Sequence, residues 1–263
     1  LIPDFEIKFL LDSAEVLNHN EDNEDNEDIE FKNELRSVFK SPPTATKINV
    51  MFMDTDNKAL YQAGWSARIR KKEGNPDFEL TYKKRYPIEG EDIDAALRAA
   101  KRDGFDASRD DKYEAQVEWG YNKRTLSISH EKKVPDSVGG GTSLPDGGTS
   151  LPDVDSARNM IACKAPDLLG ELGKDPLQEA RVYGPILTTR LAGKWESNKL
   201  TVEVWPIMIA AERRLEYIVE ASVKVDTQDE SGDVHRSLKD MLSGRGWLCP
   251  RDALKTQLIM DNY

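Results

Sequence analysis

Charged side chains recur at every second position in one segment after another of this chain. The first is Asp4-Phe5-Glu6-Ile7-Lys8, where Asp4, Glu6 and Lys8 alternate with Phe5, Ile7 and Phe9. The same device gives Arg68, Arg70 and Lys72, then Glu79, Thr81, Lys83 and Arg85, then Lys112, Glu114, Gln116 and Glu118. Lys199, Thr201 and Glu203 follow, and finally Arg214, Glu216 and Glu220, with Ile218 interrupting. On a β-strand alternate residues share a face, so each segment presents one apolar and one charged side. Any single strand of this kind fits a sheet wetted on one face. The set says more, because the signs are sorted: one strand is nearly all basic and another nearly all acidic. Arg forks and Lys ammonium groups match the acceptor oxygens of a phosphate chain. Carboxylates alone would repel that chain. A carboxylate cluster in the same cavity therefore points to a hard divalent cation, Mg2+ or Mn2+, that takes carboxylate and phosphate oxygens together. Such an ion polarises a phosphoryl group and orients a water. Metal-dependent phosphoryl chemistry on a small phosphorylated substrate is the reaction class these residues suit.

The elements that must hold these side chains follow from the same alternation. Strands are expected over residues 4–11, 47–54, 65–72, 78–86, 112–119, 123–129, 181–194, 199–206 and 213–225. Helical spacing marks residues 30–39, 57–63, 91–103, 156–172 and 237–242, with a last amphipathic turn at 253–258. The pattern predicts an α+β, mostly β fold: about eight strands in one antiparallel sheet, closed or nearly closed into a tunnel, with helices packed outside. Helices covering the apolar faces leave the charged faces lining the lumen. A lumen of both signs is costly when dry, and makes sense when wet and filled by a polyanion with metal ions.

Bulk properties set outer limits. The 263 residues suit one domain with ample core, and a formal charge of −11 disfavours free nucleic acid as a partner. Much of the acid sits in residues 20–28, three copies of one polar triplet, which read as a solvated mobile loop. Residues 136–155 carry Gly-Gly-Thr-Ser-Leu-Pro-Asp twice in succession and read as a second mobile loop within a single 1–263 domain. Cys163 and Cys249 lack metal-ligand spacing, so a reduced, cytoplasmic setting is expected. No apolar stretch is long enough to span a membrane, and the first residues do not read as a signal peptide. His19, His130 and His235 are scattered and are expected at the surface. Trp205 shares parity with Glu203, a placement from which it would close one end of the tunnel.

The ordered run of motifs resembles the CYTH domain, or triphosphate tunnel metalloenzyme, superfamily. Asp4-Phe5-Glu6-Ile7-Lys8 is similar to that family's Glu-x-Glu-x-Lys first strand. Met53-Asp54-Thr55, Ala63-Gly64-Trp65-Ser66-Ala67-Arg68-Ile69-Arg70, Leu80-Thr81-Tyr82-Lys83 and Glu114-Ala115-Gln116-Val117-Glu118 match the strands that follow. Arg190, Glu203, the stretch from Glu216 to Glu220 and Lys255 resemble later positions. The resemblance implies an eight-stranded antiparallel tunnel that binds triphosphate groups with a divalent metal. It implies a metal-dependent phosphohydrolase acting on inorganic triphosphate or an organic triphosphate. On it, Asp4, Glu6, Glu216 and Glu220 hold the metal, and Glu114 or Glu118 positions or deprotonates the attacking water. Lys8, Arg68, Arg70, Lys83, Arg85, Arg190 and Lys255 grip phosphate oxygens. There are departures: Asp4 shortens the first ligand by a methylene, and Gln116 and Ile218 stand where acidic residues are common. They leave open a diphosphate ester or nucleotide as substrate of a lyase or cyclase, and a module that binds phosphate without turnover.

Overall fold

A computed structural model describes residues 1–18, 29–105, 113–136, 148–252 and 255–263. The alternating segments form β1 (Asp4–Leu11), β2 (Thr46–Asp54), β3 (Trp65–Lys72), β4 (Asp77–Ile88), β5 (Glu114–Trp119), β6 (Arg124–Pro135), β7 (Arg181–Trp195), β8 (Asn198–Ile209) and β9 (Arg214–Val225). Around the barrel they run β1-β5-β6-β4-β3-β2-β7-β8-β9, and β9 pairs back onto β1. A short β10 (Leu248–Cys249) lies outside this ring and pairs with Leu10 and Leu11, beyond the point where β5 ends.

Two expectations are corrected together. The ring has nine strands rather than eight, and it is not antiparallel throughout. A closed ring of antiparallel neighbours needs an even number of strands, so an odd ring must contain a parallel pair. That pair is β1 with β5, with Asp4 opposite Gln116 and Glu6 opposite Glu118. The hairpins are legible locally, whereas β1–β5 and β1–β9 join strands far apart in sequence.

Short helices α1 (Ser13–Val16), α2 (Asn33–Val38) and α3 (Ala59–Gln62) connect the first strands, and α4 (Ile93–Arg102) follows β4. Between β6 and β7 come α5 (Val154–Cys163), a 3-10 segment at Asp167–Leu172 and α6 (Lys174–Gln178). The single helix expected over 156–172 thus breaks before Pro166, because a residue preceding proline is pushed out of the helical region. After β9, α7 (Gln228–Gly244) is much longer than the expected 237–242. Thr227 caps it by accepting the Glu230 N–H at 3.3 Å, and the weak helix formers Ser231-Gly232-Asp233 had hidden its first turns. The C-terminal helix is α8 (Lys255–Asn262).

The apolar strand faces point outward under these helices. Phe5, Ile7, Phe9, Ala67, Ile69, Leu80, Tyr82, Val117, Val202, Val204 and Val223 form one buried cluster with Ala100 of α4, Ile161 of α5 and Leu238 of α7. Each large apolar side chain buried this way contributes roughly 1.5–3 kcal/mol. A second apolar cluster joins Leu10, Ile48, Val50, Phe52, Tyr183, Ile186, Trp205, Ile207 and Ile218 to Ile259 and Met260 of α8. Its strand residues share the face of the charged ones: Phe52 lies opposite Arg68, Val50 opposite Arg70, and Trp205 opposite Ile218. This second cluster is therefore inside the barrel: with α8 it fills one end, and along β2 it runs up one side as far as Ile48, opposite Lys72.

The run 20–28 lies outside the described residues, as does most of 136–155. What is described of the latter is anchored: Asp136 takes an ion pair from the buried Lys71 at 2.8 Å, and Asp153 caps α5. One sheet takes strands from both sides of that stretch. His130 and His235 are buried, against expectation. His235 stacks on Trp119 at 4.1 Å, and His130 lies 5.2 Å from Tyr113, because both sit on the apolar outer side of the barrel under its covering elements. Among the described residues no helix is long and apolar enough to cross a membrane.

Candidate active site

The alternation that buries the outer face aims the charges inward, and the register sets who meets whom. Glu6 lies opposite Glu118 across β1 and β5, and Glu203 lies opposite Glu220 across β8 and β9. Each carboxylate pair is bridged by a lysine. Lys8 Nζ is 2.9 Å from Glu6 and 3.4 Å from Glu118. Lys255 Nζ, brought in by α8, is 2.9 Å from Glu203 and 2.8 Å from Glu220. Lys83 also reaches Glu118 at 2.8 Å, and Arg190 donates its Nε–H to Glu203 at 2.9 Å. Ser127 donates to Glu118 and Trp205 to Glu203, each at 3.0 Å.

The β3–β4 wall is different. Arg68, Arg70 and Arg85 each keep a buried Nε with no hydrogen-bond partner. Arg70 is held at its tip by Glu79 at 3.1 Å and Glu131 at 3.4 Å, and Arg85 donates to Ser66 at 3.3 Å. Arg68 makes no ion pair among the described residues. Buried donors are almost always satisfied, and leaving one unpaired costs about 1–3 kcal/mol. Three adjacent orphans of one sign amount to a preformed seat for an anion with several acceptor oxygens.

The ionisation of the lumen follows its contacts. Burial alone would push the Glu6 and Glu118 carboxyls up, but Lys8 and Lys83 beside them outweigh it and hold both below the usual range. Glu203 goes the same way: burial raises it, and Lys255 and Arg190 hold it well below. Burial would lower Lys8 and Lys255, yet their carboxylate partners pull both upward. On the arginine wall burial wins. Arg68 is pulled down to about 9 by desolvation and then by Arg70, and Lys83 to about 8 by desolvation despite Glu118, with Lys8, Arg85 and Arg68 adding to it. The two partners of the Lys83–Glu118 bridge move for separate reasons. Glu118 is surrounded by cations, and so is Lys83.

Of the residues expected at the site, Glu6, Lys8, Arg68, Arg70, Lys83, Arg85, Glu118, Arg190, Glu220 and Lys255 share the lumen face. Three stand apart. Phe5 registers with Val225 and Leu10 with Glu220, so Asp4 and Glu216 lie at opposite ends of the barrel, about 30 Å apart along the strands. Glu216 meets Arg251 at 3.3 Å instead. Glu114 is exposed at the same end as Asp4. Asp54 of the family-like Met53-Asp54-Thr55 is buried and structural: it accepts the backbone N–H groups of Thr55, Leu60 and Tyr61 at 2.7, 3.0 and 2.9 Å.

Glu203 and Glu79, expected on the lumen face but given no role at the site, lie there and pair with Arg190 and Arg70. The structure adds Glu131 to them. Glu131 was not visible by parity, because His130-Glu131-Lys132-Lys133 reads as a charge run after a strand that in fact continues to Pro135.

Among the described residues no three carboxylate, imidazole or thiol groups come together as a closed metal cage. The donor chemistry nevertheless fits Mg2+ or Mn2+. Mg2+ commonly takes one or two carboxylates and completes its shell with water and substrate phosphate oxygens. The cross-strand pairs Glu6–Glu118 and Glu203–Glu220 are such donors, and three of the four are held ionised.

No family model matches the sequence, and neither does any curated protein. Solved structures do match. A Hippeastrum protein, HpAC1, named as a candidate adenylyl cyclase and described as having a dominant triphosphatase activity, shares 15% identity at a TM-score of 0.58, over 97% of this chain and 94% of its own. A candidate adenylate cyclase from Bacillus halodurans shares 13% identity at a TM-score of 0.54, over 97% of this chain and 96% of its own. At such identity the likeness establishes the fold alone, a closed β-barrel with helices packed outside it.

Proposed function

We propose that this chain is a CYTH-type phosphohydrolase that cleaves inorganic triphosphate or an organic triphosphate within its lumen, with Mg2+ or Mn2+ as cofactor. The observation that carries this reading is the row of buried, unpartnered arginine Nε groups on Arg68, Arg70 and Arg85, facing a belt of ionised carboxylates. The triphosphatase activity described for the Hippeastrum protein points the same way. We read residues 1–263 as one unit around this tunnel, and the two unpaired thiols, Cys163 and Cys249, suit a reducing cytoplasm.

In this mechanism Arg68, Arg70, Arg85 and Lys83 grip the non-bridging oxygens of the phosphate chain, fixing it against the β3–β4 wall. Lys8 and Lys255, between carboxylates in the free protein, are placed to turn onto phosphate oxygens. The cross-strand carboxylate pairs, Glu6 with Glu118 and Glu220 with Glu203, would hold the divalent ion. The ion, when bound, supplies Lewis acidity at the phosphoryl group. Glu118 is held well below the usual carboxylate range, so it serves as a fixed acceptor that orients a water. Water adds at the terminal phosphorus, its bond to the bridging oxygen breaks, and the remaining phosphates leave with that oxygen. The cations of the lumen offset the charge that builds on this leaving group.

Room for a bulky organic group beside Trp205 and Ile218 would favour the diphosphate ester or cyclase alternative, but Ile259 and Met260 of α8 occupy that space. The test is phosphate release from inorganic triphosphate, nucleoside triphosphates and diphosphate esters, with and without Mg2+ or Mn2+, the products identified by mass. Metal-dependent release of orthophosphate from a triphosphate is expected. Binding without release on any substrate would make the chain a phosphate-binding module.

A further inference from the structure

The β5–β6 turn is held from two sides. Gly120 donates its N–H to the Lys123 carbonyl at 2.9 Å, which closes the turn. On one side α7 fixes it: the His235 ring stacks on Trp119 at 4.1 Å, its Nε2 donates to the Gly120 carbonyl at 3.0 Å, and the Lys239 ammonium lies 4.2 Å from the centre of the Tyr121 ring. On the other side sits Asp252. One of its carboxylate oxygens accepts the Tyr121 N–H at 2.6 Å, and the second accepts the Asn122 N–H at 2.9 Å. Hydrogen bonds to a carboxylate are roughly twice as strong as neutral ones, and two together fix its orientation. Gly120 admits this seat. It does not adopt a positive φ, and a Cβ there would collide with the Asp252 carboxylate, so a side chain is excluded by close approach alone.

Asp252 stands three residues before Lys255, whose ammonium bridges Glu203 at 2.9 Å and Glu220 at 2.8 Å. Two features work against that placement. Lys255 lies in the first turn of α8, where the helix dipole disfavours a cation. Its long side chain also gives up much rotamer freedom to stand in one place. The apolar anchors of α8, Ile259 and Met260, come a full turn later. Ahead of it, the pair of Arg251 with Glu216 is made by an exposed arginine, and such pairs contribute little. Among the described residues the Asp252 seat is the fixed point nearest to Lys255 on that side.

We propose that Asp252 is the positioning residue for Lys255: seated on the Tyr121 and Asn122 N–H groups, it sets the start of α8 so that the ammonium stands between Glu203 and Glu220 and can turn onto a phosphate oxygen. This rests on the reading of Lys255 as a phosphate ligand. The same turn follows Glu118, two residues before Gly120, so one frame registers Lys255 against the carboxylate that Lys8 and Lys83 hold.

The test is a double-mutant cycle on the intact protein, with metal chelated so that calorimetry reads triphosphate binding without turnover. Lys255→Met should weaken binding roughly tenfold or more, the loss of one charge-assisted contact. Asp252→Ala removes the clamp and Gly120→Ala displaces it; each should lose most of that factor, and little more once Lys255→Met is also present. Asp252→Asn keeps one acceptor and should fall between Asp252→Ala and the parent. A clamp that served the fold alone would lower Tm and leave the affinity of the folded protein unchanged. Parent-like affinity in the Asp252 and Gly120 variants while Lys255→Met binds weakly overturns the proposal. So does an equal loss with Lys255 present and absent, and so does failure of all three clamp variants to fold. Lys255→Met binding like the parent overturns the reading of Lys255 as a phosphate ligand, and failure of the parent to bind triphosphate overturns the whole phosphate-binding reading; the proposal falls with either. Coupled loss of binding without phosphate release by the parent in Mg2+ or Mn2+ overturns the hydrolase reading and leaves the role of Asp252 standing.

Discussion

The two sides of the lumen are made by the same kind of alternating strand and have opposite contents. The wall of β3, β4, β5 and β6 carries Arg68, Arg70, Lys83, Arg85 and Glu118 on its inner face. The wall of β2 and β7, with the ends of β8, β9 and β1, carries Ile48, Val50, Phe52, Ile186, Trp205 and Ile218. The apolar side buries its groups against α8 and stabilises the barrel as any core does. The charged side leaves three arginine Nε groups unpaired, an arrangement that weakens the free protein and becomes favourable when an anion arrives. Stability and binding are thus assigned to different walls, and substitutions on each should move different observables.

The largest effect is expected from the apolar side. Phe52→Ala should cost about 3–5 kcal/mol of unfolding free energy, measured by urea denaturation, while calorimetric affinity of the folded protein for triphosphate stays near the parent's. A matching collapse of affinity would show that the walls are not separable. On the carboxylate belt, Glu6→Gln keeps the shape and removes the charge. Loss of even an outer partner of a metal costs roughly 10–100-fold, so at least this loss of metal-dependent turnover is expected, with an unchanged circular dichroism spectrum. Full activity at limiting Mg2+ would remove Glu6 from the metal site.

Arg68→Met sharpens the contrast from the other side. Triphosphate affinity should weaken by about 1.5–3 kcal/mol, while the melting temperature of the free protein stays level or rises. A fall in melting temperature would mean that Arg68 serves the fold. The pH dependence is smaller. Lys83, pulled down to about 8 chiefly by burial, is charged below that pH and neutral above it. Its grip on an anion is therefore present below pH 8 and lost above, and triphosphate affinity should decline by at most about tenfold per unit as pH rises through 8. Lys83→Arg should flatten that profile; an unchanged slope would clear Lys83 of the effect. The smallest effect is Ile218→Val, about 0.5–1.5 kcal/mol of stability with no change in binding.

Much of this contrast was legible in the chain. The strict two-residue period put Glu6, Lys8, Arg68, Arg70, Lys83 and Glu118 on one face of their strands, and closure of the sheet made that face the inside. The same period placed Ile48, Val50 and Phe52 on the lumen side, but apolar residues on both faces of β2 read simply as a buried strand. Asp4 and Glu216 were grouped with Glu6 and Glu220 because a motif sets order along the chain and leaves distance across the barrel open.

Local alternation is enough for the class of fold and the chemistry of its inner surface, because both depend on which side of a strand a residue occupies. The tertiary structure decided the rest. An odd ring forced β1 and β5 parallel, which set Glu6 against Glu118. The register of β8 on β9 set Glu203 against Glu220, and the docking of α8 brought Lys255 between them while closing one end. Each of these is a meeting of residues far apart in the chain. Such meetings are set by strand closure and by packing over the whole molecule, which no local period encodes.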